Sequence, residues 1–255
     1  MTAAPVHPLV EAALRDRVVA DADGIALPLH SNVSRETCAL IYEAAQDTGA
    51  VTAVETGMAF GIATLCLADA VTRNSTNGRL LSIDPSQTTV WKGLALLQAQ
   101  RAGFREAVQL LELPAHVALP QLLAAGERVD LAFIDGWHTF DHALIDFFYI
   151  DLLLRTGGIV IIDDVGYPAI NAVARFIALN RGYEVWRTLS RGGGKGTAAH
   201  RAKTAVKRVF RRLGRTDLDP RADDLPMFAR MRSAEVVAFR KVAADERPYN
   251  HFRPF

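Results

Sequence analysis

Apolar and polar positions along this chain change period repeatedly, and the changes mark out its elements. Between Val129 and Val165 an apolar run, Leu131 to Ile134, ends abruptly in Asp135. A helical pattern follows from about Phe140 to Leu154, with Phe147, Ile150, Leu153 and Leu154 recurring at helical spacing. Gly157-Gly158 is expected to stop that helix, and a second apolar run, Ile159 to Ile162, ends in Asp163-Asp164. Both runs are short and non-alternating, as parallel strands covered on both faces should be.

The same alternation runs through most of the chain. Val51 to Glu55 reads as a strand, followed by a tight turn to Gly61 and a helix from Ile62 to Val71. Leu80 to Ile83 is the next strand and ends in Asp84; a helix (Thr89 to Ala102), a strand (Val108 to Leu111) and a helix through Ala125 follow. Beyond the central stretch come a helix, Ala169 to Asn180, and strands Tyr183 to Leu189 and Val236 to Arg240. Strands alternating with helices predict an α/β fold around a Rossmann-like parallel sheet. Residues 1–49 read as a helical extension, with an amphipathic segment from Leu9 to Val19 and Ser34 as N-cap of a helix from Arg35 to Ala45. That extension either packs on the sheet or closes over a site as a lid.

Composition narrows the partners. The chain has 255 residues, half of them hydrophobic, and a net charge of +1, so global charge favours neither nucleic acid nor a membrane surface. No apolar run approaches the roughly 18 residues of a membrane span. The N-terminus lacks a basic region followed by an apolar core, and Cys38 and Cys66 fall in helical patterns without metal spacing; two buried reduced thiols point to the cytoplasm. One segment departs from the average. From Arg187 to Arg215 there are ten Lys or Arg and no Asp or Glu, opening with Gly192-Gly193-Gly194. It reads as a solvated basic helix and loop, or as a binder of phosphate, membrane surface or RNA.

The candidate chemistry lies where the strands end. Ligands in open α/β sheets bind beyond the carboxyl ends of the strands, and that edge here carries Asp135, Asp163, Asp164 and His138. Clustered carboxylates repel one another unless a cation joins them. The turn E-x-G-x-x-x-G, Glu55 to Gly61, differs from the dinucleotide pattern G-x-G-x-x-G; its first glycine lets a ligand approach the backbone and its second lets the helix start close to the strand. Asp84 ends the second strand, where a carboxylate can hold a ribose diol. His142, four residues after His138, is expected a turn deeper along the helix, as a solvated or packing residue.

ETGMAFG, then IDP, then FIDGWH, then LLLRTGGIVIIDDV resemble the class I S-adenosylmethionine-dependent methyltransferases. More narrowly, they are similar to the metal-dependent O-methyltransferases of the macrocin and mycinamicin type, which act on sugars, with catechol O-methyltransferase a more distant likeness. The resemblance covers roughly residues 50–189, with Val236 to Arg240 as the final strand. It implies a seven-stranded, mostly parallel sheet with one antiparallel strand, and a methyltransferase domain over residues 50–255; the basic insertion at about 190–233 is read from this sequence and does not map onto the family. It implies that Glu55, Gly57, Met58 and Gly61 cradle the methionine part of S-adenosylmethionine. Asp84 would hold its ribose, and Trp137 would pack near it. Asp135, Asp163 and Asp164 match metal ligands, and oxygen ligands suit Mg²⁺. His138 matches the general base. One departure stands out: many members carry a Gly-Asp pair after the third strand for adenine, and this chain has Leu113-Pro114 there, with Glu112 one or two positions out of place.

The expected function is metal-assisted methyl transfer to a hydroxyl of a small molecule, a sugar or other natural product, with a homo-oligomer left open. A nicotinamide-dependent oxidoreductase would leave the paired aspartates unexplained. A nucleic-acid or anionic-surface module built on residues 187–215 would have no use for them.

Overall fold

The apolar runs become one sheet. In the computed structural model, residues 5–190, 231 and 233–255 are described. In chain order the elements are α1 (Pro8–Asp16), β1 (Val18–Ala20), β2 (Ala26–Pro28), α2 (Arg35–Thr48), β3 (Thr52–Thr56), α3 (Ile62–Asn74), β4 (Arg79–Ile83) and α4 (Leu94–Arg101). They continue with β5 (Val108–Leu111), α5 (Ala115–Ala124), β6 (Val129–Ile134), α6 (Phe140–Leu153), β7 (Leu154–Ile162), α7 (Pro168–Asn180), β8 (Tyr183–Ser190) and β9 (Ala234–Lys241).

Seven strands form one sheet in the order β5-β4-β3-β6-β7-β9-β8, and β9 runs antiparallel to both its neighbours. All residues of β3 and β6 are buried. Side chains alternate between the faces. Ala53, Leu131 and Phe133 join the core beneath α1 to α4, whereas Val54, Ala132 and Ile134 join the core beneath α5 to α7. From β3 the chain winds outward to β4 and β5, then crosses back to β6 and β7 on the other side. Strand order therefore reverses between β3 and β6, and that switch point opens a crevice at the carboxyl edge.

Several expectations change at element ends. Gly157 and Gly158 do not stop α6: the helix ends at Leu153, and β7 starts at Leu154 and runs through both glycines. A Cβ on Gly158 would lie 2.9 Å from the carbonyl oxygens of both Asp130 in β6 and Arg155 in β7, so the backbone crowding at the start of β7 is what needs that glycine. Helix α4 starts at Leu94 rather than Thr89, because Lys92 and Gly93 are both left-handed and interrupt the helical path. The amphipathic segment after Leu9 ends at Asp16, where Arg17 adopts φ 58° and turns the chain into the hairpin β1–β2.

The C-terminal tail is tied down. Asn180, itself buried, donates to the Arg253 carbonyl at 2.9 Å and accepts from the Arg253 N–H at 2.8 Å. Phe255 stacks on Phe140 and meets Phe176 edge-on, so the tail braces the start of α6 against α7. Of the basic stretch, Arg187 lies on β8, and residues 191–215, including Lys207, Arg208, Arg211 and Arg212, lie outside the described residues. Among the described residues no helix is long and apolar enough to cross a membrane. Cys38 and Cys66 are buried on α2 and α3.

Candidate functional site

The crevice is built first by the turn between β3 and α3. Gly57 and Gly61 both have left-handed backbone, with φ 86° and 88°. A Cβ on Gly57 would fall 2.2 Å from the Asp135 carbonyl oxygen, so only glycine lets this turn lie against the end of β6. Gly61 serves a different contact than the helix–strand approach expected: its Cβ would meet Ala95 of α4 at 2.8 Å from that residue's Cα. Gly61 does not line the crevice, whereas Gly57, Met58 and Ala59 do.

Asp84, at the end of β4, is already bonded to this turn. One carboxylate oxygen accepts from the N–H groups of Met58 (3.1 Å) and Ala59 (3.2 Å), and the other accepts from Ser86 N–H (2.8 Å). Asp84 is buried yet lines the crevice, so it both shapes the turn and presents charge to a ligand. The sequence placed this acid; its bonds to the turn were not visible there.

Glu55 lies underneath. Its carboxyl is fully buried and absent from the crevice wall; Oε1 accepts from the Ser82 hydroxyl at 2.6 Å, and Oε2 has no hydrogen-bond partner. Burial pushes its pKa up to about 7, against a smaller opposing pull from Ser82. A raised carboxyl pKa means the folded state holds a proton that the unfolded chain releases earlier. This contribution to stability is therefore fully present below the unfolded value and lost as pH rises through about 7. In chelator and without cofactor, the melting temperature should fall between pH 5 and pH 7.5, and Glu55→Gln should flatten part of that slope. Equal slopes in the two proteins would show that Glu55 is not the titrating group.

The acidic edge follows from β6 and β7 ending side by side. Asp135 N–H donates to the Thr56 carbonyl at 3.0 Å and Asp163 N–H to the Ile134 carbonyl at 3.1 Å, which brings both acids to one rim. Burial, then the charges of Asp163 and Asp164, drive the Asp135 carboxyl well above its ordinary range. Asp163 is raised to about 7, chiefly by burial, with an opposing bond from the Asp164 N–H. That bond, 2.8 Å to Asp163 Oδ1, holds Asp164 in a left-handed conformation, φ 55°. Asp135, His138 and Asp164 each offer a ligand atom within 4.8 Å of the others, and His138 Nε2 is 3.3 Å from Asp164 Oδ2. Asp163 lines the same crevice but is not in that group of three.

Three further residues complete the wall beyond β5, and sequence reasoning missed their arrangement. His116 of α5 lies 6.1 Å from the ring of His142, which in turn lies 6.3 Å from the ring of Trp137. His142 is thus at the crevice rather than deeper along the helix, with Nδ1 3.0 Å from the Thr139 hydroxyl. Behind them Asp146 is buried, its pKa raised to about 6 by burial. The opposite wall comes from the N-terminal extension, where His30 packs edge-on against Phe60, and Phe60 against Trp91. The open crevice between these walls is about 1250 Å³. That exceeds the roughly 300–1,000 Å³ of a typical single-ligand pocket, leaving space for two ligands side by side.

Residues 54–165 match the family model described as a methyltransferase domain. No curated protein matches the chain by sequence. Among solved structures, cofactor-bound Rv0187 from MTB is similar at 19% identity and a TM-score of 0.62, over 92% of this chain and 90% of that one. An O-methyltransferase from Bacillus cereus in complex with SAH is similar at 20% identity and 0.61, over 94% of each chain. TomG from Streptomyces achromogenes, an O-methyltransferase involved in tomaymycin synthesis and solved with SAM, is similar at 23% and 0.55, over 64% of this chain and 76% of that one. Strand order, the single antiparallel strand and the matched residues agree, and the chain has the class I methyltransferase fold.

Proposed function

We propose that the protein is an S-adenosylmethionine-dependent, divalent-metal-assisted O-methyltransferase acting on a hydroxyl of a small molecule such as a sugar. The observation that carries this reading is the convergence of Asp135, His138 and Asp164 on one rim of the crevice, beside the glycine turn. The donor chemistry fits a hard cation, and a turn that tolerates no Cβ at Gly57 and faces the crevice through Gly57, Met58 and Ala59 fits a ligand pressed against that backbone. S-adenosylmethionine supplies the methyl group when bound, and a divalent cation held by Asp135, Asp163 and Asp164 supplies the charge that makes the acceptor hydroxyl acidic.

The chain's own residues divide the remaining work. The turn at Gly57, Met58 and Ala59 receives the methionine end of the cofactor, with Glu55 buried beneath it and Gly61 packed on Ala95, and Asp84 holds the ribose. Trp137 packs near the adenosyl group, and His116 and His142, beyond the end of β5, line the crevice where the absent Gly-Asp pair would have met adenine. His138 takes the acceptor proton at Nε2, and Asp164 beside it stabilises the resulting imidazolium. The N-terminal extension closes the crevice on the acceptor side, over the domain from residue 50 onward. A small-molecule acceptor and a cytoplasmic setting complete the reading, with the basic segment of residues 187–215 peripheral to it.

A screen of sugars, natural-product alcohols and catechols with methyl-labelled cofactor, with Mg²⁺ and with chelator, tests the proposal; label transferred to nitrogen or carbon acceptors alone would overturn it. Cofactor binding has its own check. Asp84→Ala removes charge-assisted hydrogen bonds worth roughly 1.5–3 kcal/mol, so calorimetry should show S-adenosylhomocysteine binding at least tenfold more weakly. Unchanged affinity would remove Asp84 from the site.

A further inference from the structure

The imidazole of His138 is gripped from two directions by one turn. At its edge, Nε2 is 3.3 Å from Asp164 Oδ2. On its face lies the ring of Tyr167, with centroids 5.6 Å apart and planes only 27° from parallel. Tyr167 and Asp164 are themselves locked together, because the Tyr167 N–H donates to the Asp164 carbonyl at 2.9 Å. Tyr167 is also the N-cap of α7, and Pro168 fixes the first helical position after it. The ring is thereby referred to the frame of a whole helix.

We infer that Tyr167 is a positioning residue for His138: stacked on the imidazole, it sets the plane in which Nε2 meets the acidic rim. A role in core packing does not account for it, since Tyr167 is 53% exposed and lines the crevice. His138, by contrast, sits on the irregular turn after β6 with 41% of its side chain exposed, and nothing on its own element holds its ring. An imidazole on such a turn samples several rotamers, and a base that must meet one oxygen loses rate in each wrong one. Offset stacking of this geometry is an attractive contact in its own right. The contact belongs to the ring rather than the hydroxyl, so phenylalanine should substitute. The inference rests on the reading of His138 as the base.

The experiment uses the full chain with ¹³C-labelled histidine. Its seven histidines give separate Cε1–H signals, and that of His138 is identified by its loss in His138→Gln. The aromatic ring current should displace this signal in the wild type and in Tyr167→Phe. In Tyr167→Ala it should return by several tenths of a ppm toward the free-histidine position while the other signals hold. If alanine unfolds the turn, Tyr167→Leu removes the ring at similar bulk and reads the same contact. A His138 signal unmoved in the folded ring-deleted variant overturns the inference. A moved signal reports the contact alone, so kcat is read beside it. It should fall in the folded ring-deleted variant and be kept by Tyr167→Phe, with S-adenosylhomocysteine affinity near wild type in both. A wild-type kcat in the ring-deleted variant overturns the inference, whereas full turnover by His138→Ala overturns instead the assignment of His138 as base.

Discussion

His138→Ala should lower turnover on an ordinary alcohol by about 10²–10⁴-fold, the usual contribution of a general base. The residue lies three positions past Asp135, with Nε2 against the acidic rim and its ring stacked on Tyr167, so it faces the space left for an acceptor. Nothing in the glycine turn or at Asp84 contacts it among the hydrogen bonds described, and affinity for S-adenosylhomocysteine should stay near wild type. The loss should appear in kcat rather than in cofactor binding. An acidic acceptor such as a catechol will show a smaller loss, because less proton affinity has to be overcome. Near-normal turnover of an unactivated alcohol by the mutant would make His138 structural.

Removal of the cation should have an effect at least as large. Chelator should abolish turnover and Mg²⁺ should restore it, and in a melting experiment Mg²⁺ should raise the apo protein's transition temperature by binding the folded state alone. Asp164→Asn is the informative variant. Alanine at a left-handed position would add a backbone cost of roughly 1–2 kcal/mol, whereas asparagine tolerates that conformation and removes only the charge. Asp164→Asn should therefore fold normally, lose the Mg²⁺-dependent shift and behave like chelated wild type. Full turnover in excess chelator, with no Mg²⁺ effect on melting, would end the metal assignment.

The core of this architecture was legible because it is local. Leu131 to Ile134 and Ile159 to Ile162 are apolar runs with an acid directly after each, and parallel pairing of β6 with β7 places those acids together. The strand order and its lone antiparallel member matched what the resemblance implied. Features that escaped are those in which distant segments meet. The strands β1 and β2 have three residues each, too few to show an alternation. His116 and His142 belong to different helices, and only the packing of α5 on α6 brings their rings together. Gly61 read as a helix start, yet its constraint comes from Ala95, thirty-four positions away. Tyr167 belongs to no motif in the sequence, and its ring meets His138 only across the ends of β6 and β7.

The touching of Gly57 and the Asp135 carbonyl has a thermodynamic consequence. The backbone that would receive the cofactor and the backbone that would carry a cation ligand are in contact, with no side chain between them to absorb displacement. A displacement of one presses on the other, so a cofactor and a cation bound there would be coupled. Such coupling is reciprocal by necessity: whatever factor the cation changes cofactor affinity by, the cofactor changes cation affinity by the same factor, and typical couplings of about 1–3 kcal/mol correspond to roughly 5–150-fold. Where that coupling is favourable, a cation too dilute to occupy the rim alone is recruited once the cofactor is in place, and the protein reads the two concentrations as a product rather than separately.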